Sequence, residues 1–131
     1  MIVLDTHVWI WWVSDPRLMS PGARKLVQRS INEQSVHISS ISAWEVAMLA
    51  DRGRLQLTIP VDDWVRESEA LSFFNFVPVT NSIALKSVGL AAPFHSDPAD
   101  RIIIATAIAM GATLVTKDRK IRGYPHVRST W

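Results

Sequence analysis

Five acidic residues fall where they could act together: Asp5, Glu45, Asp97, Asp100 and Asp118. Asp5 directly follows the apolar triplet Ile2-Val3-Leu4, and Asp118 follows Thr113-Leu114-Val115 after Thr116-Lys117. Glu45 comes shortly after Val36-His37-Ile38, and Asp97 and Asp100 stand at the head of a long apolar stretch. If the apolar runs are strands of one parallel sheet, these acids gather along its carboxyl edge, where open α/β sheets bind ligands. Two carboxylates about 4 Å apart repel by roughly 4 kcal/mol at an effective dielectric near 20. Such a cluster needs a cation among the acids, or protons on them. The chain has no cysteine. Oxygen-only donors suit Mg²⁺ or Mn²⁺ rather than Zn²⁺, and a hard divalent ion held by carboxylates and water is a common device for phosphate chemistry.

Each acid also has a local reading. Ser42-Ala43-Trp44-Glu45 has the form of a capping box, with Glu45 at the third helical position. Asp97-Pro98-Ala99-Asp100 has the same form, with Asp97 as N-cap and Asp100 favoured by the helix dipole. Asp5 and Asp118 suit turns.

The elements that must position these groups alternate along the chain. Strands are expected at residues 2–4, 36–38, 76–79 and 113–115, with a further one at 126–128. Helices are expected at 21–33, behind the Ser20 cap and Pro21, and at 42–52, stopped by Gly53. Others are expected at 60–71, at 80–88 under a Thr80 cap, and at 98–110, closed by Gly111. Residues 6–13 read as a short helical or irregular piece, and 55–57 as a short extended one. Alternating strands and helices predict an α/β fold with a parallel sheet. The helix around Ile102-Ile103-Ile104-Ala105 is apolar nearly all round, which predicts a buried central helix.

Composition narrows the class. With 131 residues, 48% of them hydrophobic, the chain suits a single domain over 1–131 with one sizeable core. The lack of cysteine excludes disulfides and thiolate chemistry and fits a reducing compartment. No basic n-region precedes Asp5, and the longest apolar stretch is shorter than the roughly 20 residues of a membrane helix. A soluble cytoplasmic protein with no membrane partner is expected. There are 14 basic and 12 acidic residues, for a net charge of +2, but they are unevenly spread. Arg17, Arg24, Lys25 and Arg29 form a stretch without acids, and Lys117, Arg119, Lys120, Arg122 and Arg128 are broken only by Asp118. This pattern is compatible with nucleic-acid binding and with ordinary solvated helix faces.

Four segments together resemble PIN-domain ribonucleases: Val3-Leu4-Asp5-Thr6-His7-Val8-Trp9; Ser39-Ser40-Ile41-Ser42-Ala43-Trp44-Glu45-Val46; His95-Ser96-Asp97-Pro98-Ala99-Asp100-Arg101-Ile102-Ile103-Ile104-Ala105; and Leu114-Val115-Thr116-Lys117-Asp118. Their order and spacing span essentially the whole chain, and so short a chain is similar to the VapC-type toxins of toxin–antitoxin pairs. The resemblance implies a PIN-like three-layer sandwich with a five-stranded parallel sheet of order 3-2-1-4-5. It also implies Mg²⁺- or Mn²⁺-dependent endoribonuclease activity on RNA, a homodimer and a cognate antitoxin. The family's first three acids map onto Asp5, Glu45 and Asp100, and its fourth onto Asp118. Asp5, Asp100 and Asp118 would hold the metal, while Glu45 would ligate a second ion or orient water. Thr6 and Thr116 match hydroxyl positions near the metal; Asp97 is an extra acid, read as an N-cap or an outer-shell group.

The alternative is a PIN-like module that binds RNA or a partner without turnover. A phospho-acceptor receiver would need an acidic pair near the first strand and an acceptor Asp ending the third. Here Thr6 follows Asp5, and the third strand runs into Pro78-Val79-Thr80. No Gly-x-Gly-x-x-Gly or Gly-Lys-Ser/Thr is present. Trp9, Trp11 and Trp12 either pack over the sheet or line a groove for the antitoxin or a second subunit, as Trp is enriched at binding hot spots; the resemblance favours the groove. His7 and His95 read as structural or substrate-proximal, and Arg101 as the partner of an acid. Arg24, Lys25, Lys117, Arg119 and Lys120 are the candidates for gripping the RNA backbone.

Overall fold

The computed structural model describes residues 1–93 and 97–131. The expectation for His95 lies outside the described residues. Among the described residues there are five strands: β1 (Ile2–Leu4), β2 (Val36–Ser39), β3 (Phe74–Val77), β4 (Thr113–Val115) and β5 (Ser129–Thr130). They form one sheet in the order β3-β2-β1-β4-β5, with every neighbouring pair parallel. The expected class and strand order are therefore observed.

The pleat sorts the apolar residues of β1 to opposite faces. Ile2 and Leu4 join Val8, Trp9, Val27, Val46 and Trp64 in one core cluster. Val3 joins Ile103, Ile104, Ala107, Leu114 and Ile121 in another. The sheet is thus covered on both faces, which explains why its strands are apolar without clean alternation.

The connecting helices are α1 (Thr6–Ser14), α2 (Pro21–Asn32), α3 (Ser40–Asp51), α4 (Val61–Ala70), α5 (Asn81–Val88), α6 (Pro98–Met110) and the single turn α7 (Arg119–Arg122). α6 is the buried helix expected, with Ile103, Ile104, Ala105 and Ala107 all at 0% exposure. It ends at Gly111, whose φ of 63° is a left-handed conformation that a Cβ disfavours.

Several boundaries differ from expectation. β3 begins at Phe74 and stops at Val77, because Pro78 has no N–H to add to the ladder. β5 lies beyond residues 126–128: Val127 is buried in the second core cluster, and pairing starts where Leu114 N–H donates to the Arg128 carbonyl. Residues 55–57 form no strand.

The largest revision concerns α3. Its N-cap is Ser39, whose hydroxyl accepts from Ile41 N–H, so the helix starts before the expected Ser42 cap. Glu45 becomes the sixth helical residue rather than the third, and the capping-box reading fails.

Trp9 is also revised. It is 0% exposed, its ring packs 4.8 Å from Trp64 and 5.4 Å from Phe76, and its Nε1 donates to Ser68 Oγ. It is a core residue and cannot line a partner groove. Trp11 and Trp12, partly buried against the same core, remain at the surface.

Candidate active site

The chain leaves β1 with β2 on one side and β4 on the other, so the strand order reverses beside β1. A crevice opens at such a switch point beyond the carboxyl ends of the strands. Asp5 stands there, 4% exposed, and its N–H makes a bond to Val115 of β4. Its carboxylate caps α1, with Oδ1 accepting from Thr6 N–H at 2.8 Å. Oδ2 accepts from the Thr116 hydroxyl at 2.7 Å. Thr116 in turn accepts from Asp118 N–H at 3.0 Å, so one hydroxyl links the two acids that follow β1 and β4.

Asp118 is itself held, because its Oδ1 caps α7 through Lys120 N–H and Ile121 N–H. Asp97 caps α6 as expected, accepting from Asp100 N–H at 3.1 Å. That bond fixes the first turn of α6, and Asp100 with it. Arg101 donates to the carbonyls of Ser87 and Val88, which ties α6 to the last turn of α5.

Glu45 reaches the same region from α3. Thr6 Oγ1 lies 2.5 Å from Glu45 Oε1 and 2.9 Å from Ser42 Oγ. A hydroxyl has one proton, and a carboxylate can only accept, so Thr6 donates to Glu45 and Ser42 donates to Thr6. Ser42 is fully buried and forms part of this chain rather than a cap. The sequence offered Ser39, Ser40 and Ser42 as rival caps, and only the helix start separates their roles.

The acids interact electrostatically. Burial pushes the Asp100 carboxyl up from 3.8 to about 8, helped by Asp5, Asp97, Glu45 and Asp118 in turn. Burial likewise raises Glu45, against the lowering effect of the Thr6 bond and with a further rise from Asp5 and Asp97. A divalent cation would reverse both effects, and the donor set is entirely oxygen, so these residues fit a hard metal ion. As the side chains stand, no three His, Cys, Asp or Glu groups among the described residues form a ready metal-binding set. The electrostatic coupling reaches further than ligation distance, as expected for like charges.

Asp97, Asp100, Asp118, Arg119 and Lys120 line one cleft of about 500 Å³. Two expected RNA-contact residues are therefore at the acids. Lys117 lies beside it in sequence, its Nζ 5.7 Å above the Trp11 ring. Arg24 and Lys25 line a different groove, of about 350 Å³, with Trp12, Pro16, Pro21 and Gln28.

The family model of the PIN domain matches residues 2–127. The chain belongs to the PIN-domain family. It is 39% identical to Ribonuclease VapC22 of Mycobacterium tuberculosis over 127 residues, covering 97% of this chain and 94% of that protein. Among solved PIN-like structures, VapBC2 from Rickettsia felis bound to a DNA fragment from its promoter aligns with a TM-score of 0.69 at 17% identity, covering 100% of this chain and 99% of that one. A toxin–antitoxin complex from Klebsiella pneumoniae aligns at 0.65 and 24% identity, covering 100% and 97%. These two likenesses bear on the PIN fold alone. No helix among the described residues is long and apolar enough to cross a membrane.

Proposed function

We propose that this PIN-domain protein is a divalent-metal-dependent endoribonuclease toxin, hydrolysing RNA phosphodiester bonds and restrained by a cognate antitoxin. The observation that carries the reading is the gathering of acids beyond the strand ends: Asp97, Asp100 and Asp118 line one cleft, and the Thr116 hydroxyl joins Asp5 to Asp118. Support outside the chain comes from the similarity to Ribonuclease VapC22.

Asp5, Asp100 and Asp118 would hold Mg²⁺ or Mn²⁺. When bound, the metal supplies an activated water and neutralises charge on the phosphate. Asp5 enters this site with its rotation already restrained by Thr6 and Thr116. Glu45, its carboxylate held by Thr6, is suited to orient the attacking water. Arg119 and Lys120, on the wall of the acid cleft, would grip the backbone phosphates.

The groove of Trp12, Arg24 and Lys25 is assigned to the antitoxin, whose amphipathic segment would place an apolar face on the indole. Homodimerisation, implied by the same family likeness, completes the reading. The test is cleavage of a single-stranded RNA by the purified, antitoxin-free chain. Cutting with Mn²⁺ that stops with EDTA supports the reading; a folded chain that binds RNA and never cuts it supports the binding-module alternative.

A further inference from the structure

His7 connects the acid site to the loop after β4, a link that the mechanism above does not use. Its Nε2 accepts from the backbone N–H of Lys117 at 3.2 Å. A backbone N–H can only donate, so Nε2 carries no proton and the ring proton sits on Nδ1. That nitrogen faces Asp5 Oδ2 at 3.6 Å. The second contact agrees with the first, since a lone pair at Nδ1 would face the carboxylate unfavourably. At this distance the contact is an aimed N–H dipole rather than a hydrogen bond. The ring is held by Trp11, 4.9 Å away, and by Trp131, 6.5 Å away, which also pack on each other.

We propose that His7 is a positioning residue for Asp5: held at Nε2 by the Lys117 N–H and clamped by Trp11 and Trp131, it aims Nδ1–H at Oδ2 and restrains the carboxylate for metal binding. The inference rests on the metal-dependent reading of the site. Groups that orient a ligand in this way typically change metal affinity by about 10- to 100-fold when removed.

The variants His7→Asn, His7→Gln and His7→Phe separate the roles of the ring. Asn keeps an N–H near the place of Nδ1, Gln keeps an acceptor near the place of Nε2, and Phe keeps only the packing. Mn²⁺ affinity is measured by calorimetry on each folded, antitoxin-free protein, alongside kcat and KM for RNA. The expected order is Asn within about 3-fold of the parent, with Gln and Phe weakened about 10-fold or more in Mn²⁺ affinity and reduced in kcat rather than raised in KM. Side-chain ¹⁵N spectra of the metal-free parent should show the Nδ1–H tautomer. A Gln variant that outperforms Asn, a flat series, equal loss in all three, or an Nε2–H tautomer overturns the proposal. A parent that binds no Mn²⁺ overturns the metal reading and this inference together, whereas a parent that binds Mn²⁺ with any other variant order overturns this inference alone.

Discussion

The Thr116 hydroxyl donates to Asp5 Oδ2 across 2.7 Å, joining residues 111 positions apart in the chain. Thr116 is fully buried and also accepts from Asp118 N–H, so it fixes two acids from the ends of adjacent strands. The site depends on this bridge, and the consequences of breaking it can be measured.

Thr116→Val removes the donor to Asp5 and the acceptor for Asp118 N–H while nearly conserving shape. Leaving buried polar groups unpaired costs about 1–3 kcal/mol. Urea unfolding of the metal-free protein should show a loss in that range, and Mn²⁺ affinity should fall with it. Thr116→Ser keeps the hydroxyl and should restore most of both.

Asp100 makes metal-free stability pH-dependent in a definite direction. Its carboxyl titrates near 3.8 when unfolded and at about 8 when folded. Between these values the folded state binds more protons, so stability from this group is complete below about pH 4 and is lost as pH rises towards 8. Thermal melts in EDTA should therefore show Tm falling from pH 5 to pH 8, and saturating Mn²⁺ should flatten or reverse the slope.

Asp100→Asn removes that dependence. A relief of repulsion of about 1 kcal/mol, already discounted for partial exposure, raises Tm by ~4 °C in a domain of this size. In EDTA at pH 8 the variant should melt higher than the parent, and Mn²⁺ should shift it less. A variant with the parent's full Mn²⁺ shift would remove Asp100 from the metal site.

The tryptophans of α1 should separate by readout. Trp9→Ala opens the core beside Trp64 and Phe76, at a cost of about 3–5 kcal/mol. Trp12→Ala, at a side chain partly buried rather than enclosed, should lower the melting temperature much less than Trp9→Ala and weaken antitoxin binding, measured by calorimetry with the purified partner.

Arg119→Ala with Lys120→Ala should raise KM for RNA with kcat less affected. Removing one phosphate-binding side chain should reduce the slope of log affinity against log salt by about 0.7. The same pair of changes at Arg24 and Lys25 should leave the salt slope intact, because those residues line another groove.

The acids were legible because each follows or precedes an apolar run, and the strand order followed from the family resemblance carried by the four segments. The exact start of α3 was not legible, since Ser39, Ser40 and Ser42 all suit an N-cap. This hid the place of Glu45 in the second turn and the buried role of Ser42. Periodicity could not sort Trp9 from Trp11 and Trp12, because α1 is apolar on every side and only the neighbouring α4 shows which face is covered. The Thr116–Asp5 and Lys117–His7 bonds join distant parts of the chain, and local pattern carries no information about them.

The central claim is that these acids share one metal pocket. The most direct test is Mn²⁺ titration of the purified, antitoxin-free protein at pH 7 in buffers of different ionisation enthalpy, which counts protons released on binding. With Asp100 at about 8, ion binding should expel about one proton from it, and Asp100→Asn should bind more weakly and release fewer protons than the parent. Absence of Mn²⁺ binding, or binding that releases no proton and is unchanged by Asp100→Asn, would contradict it.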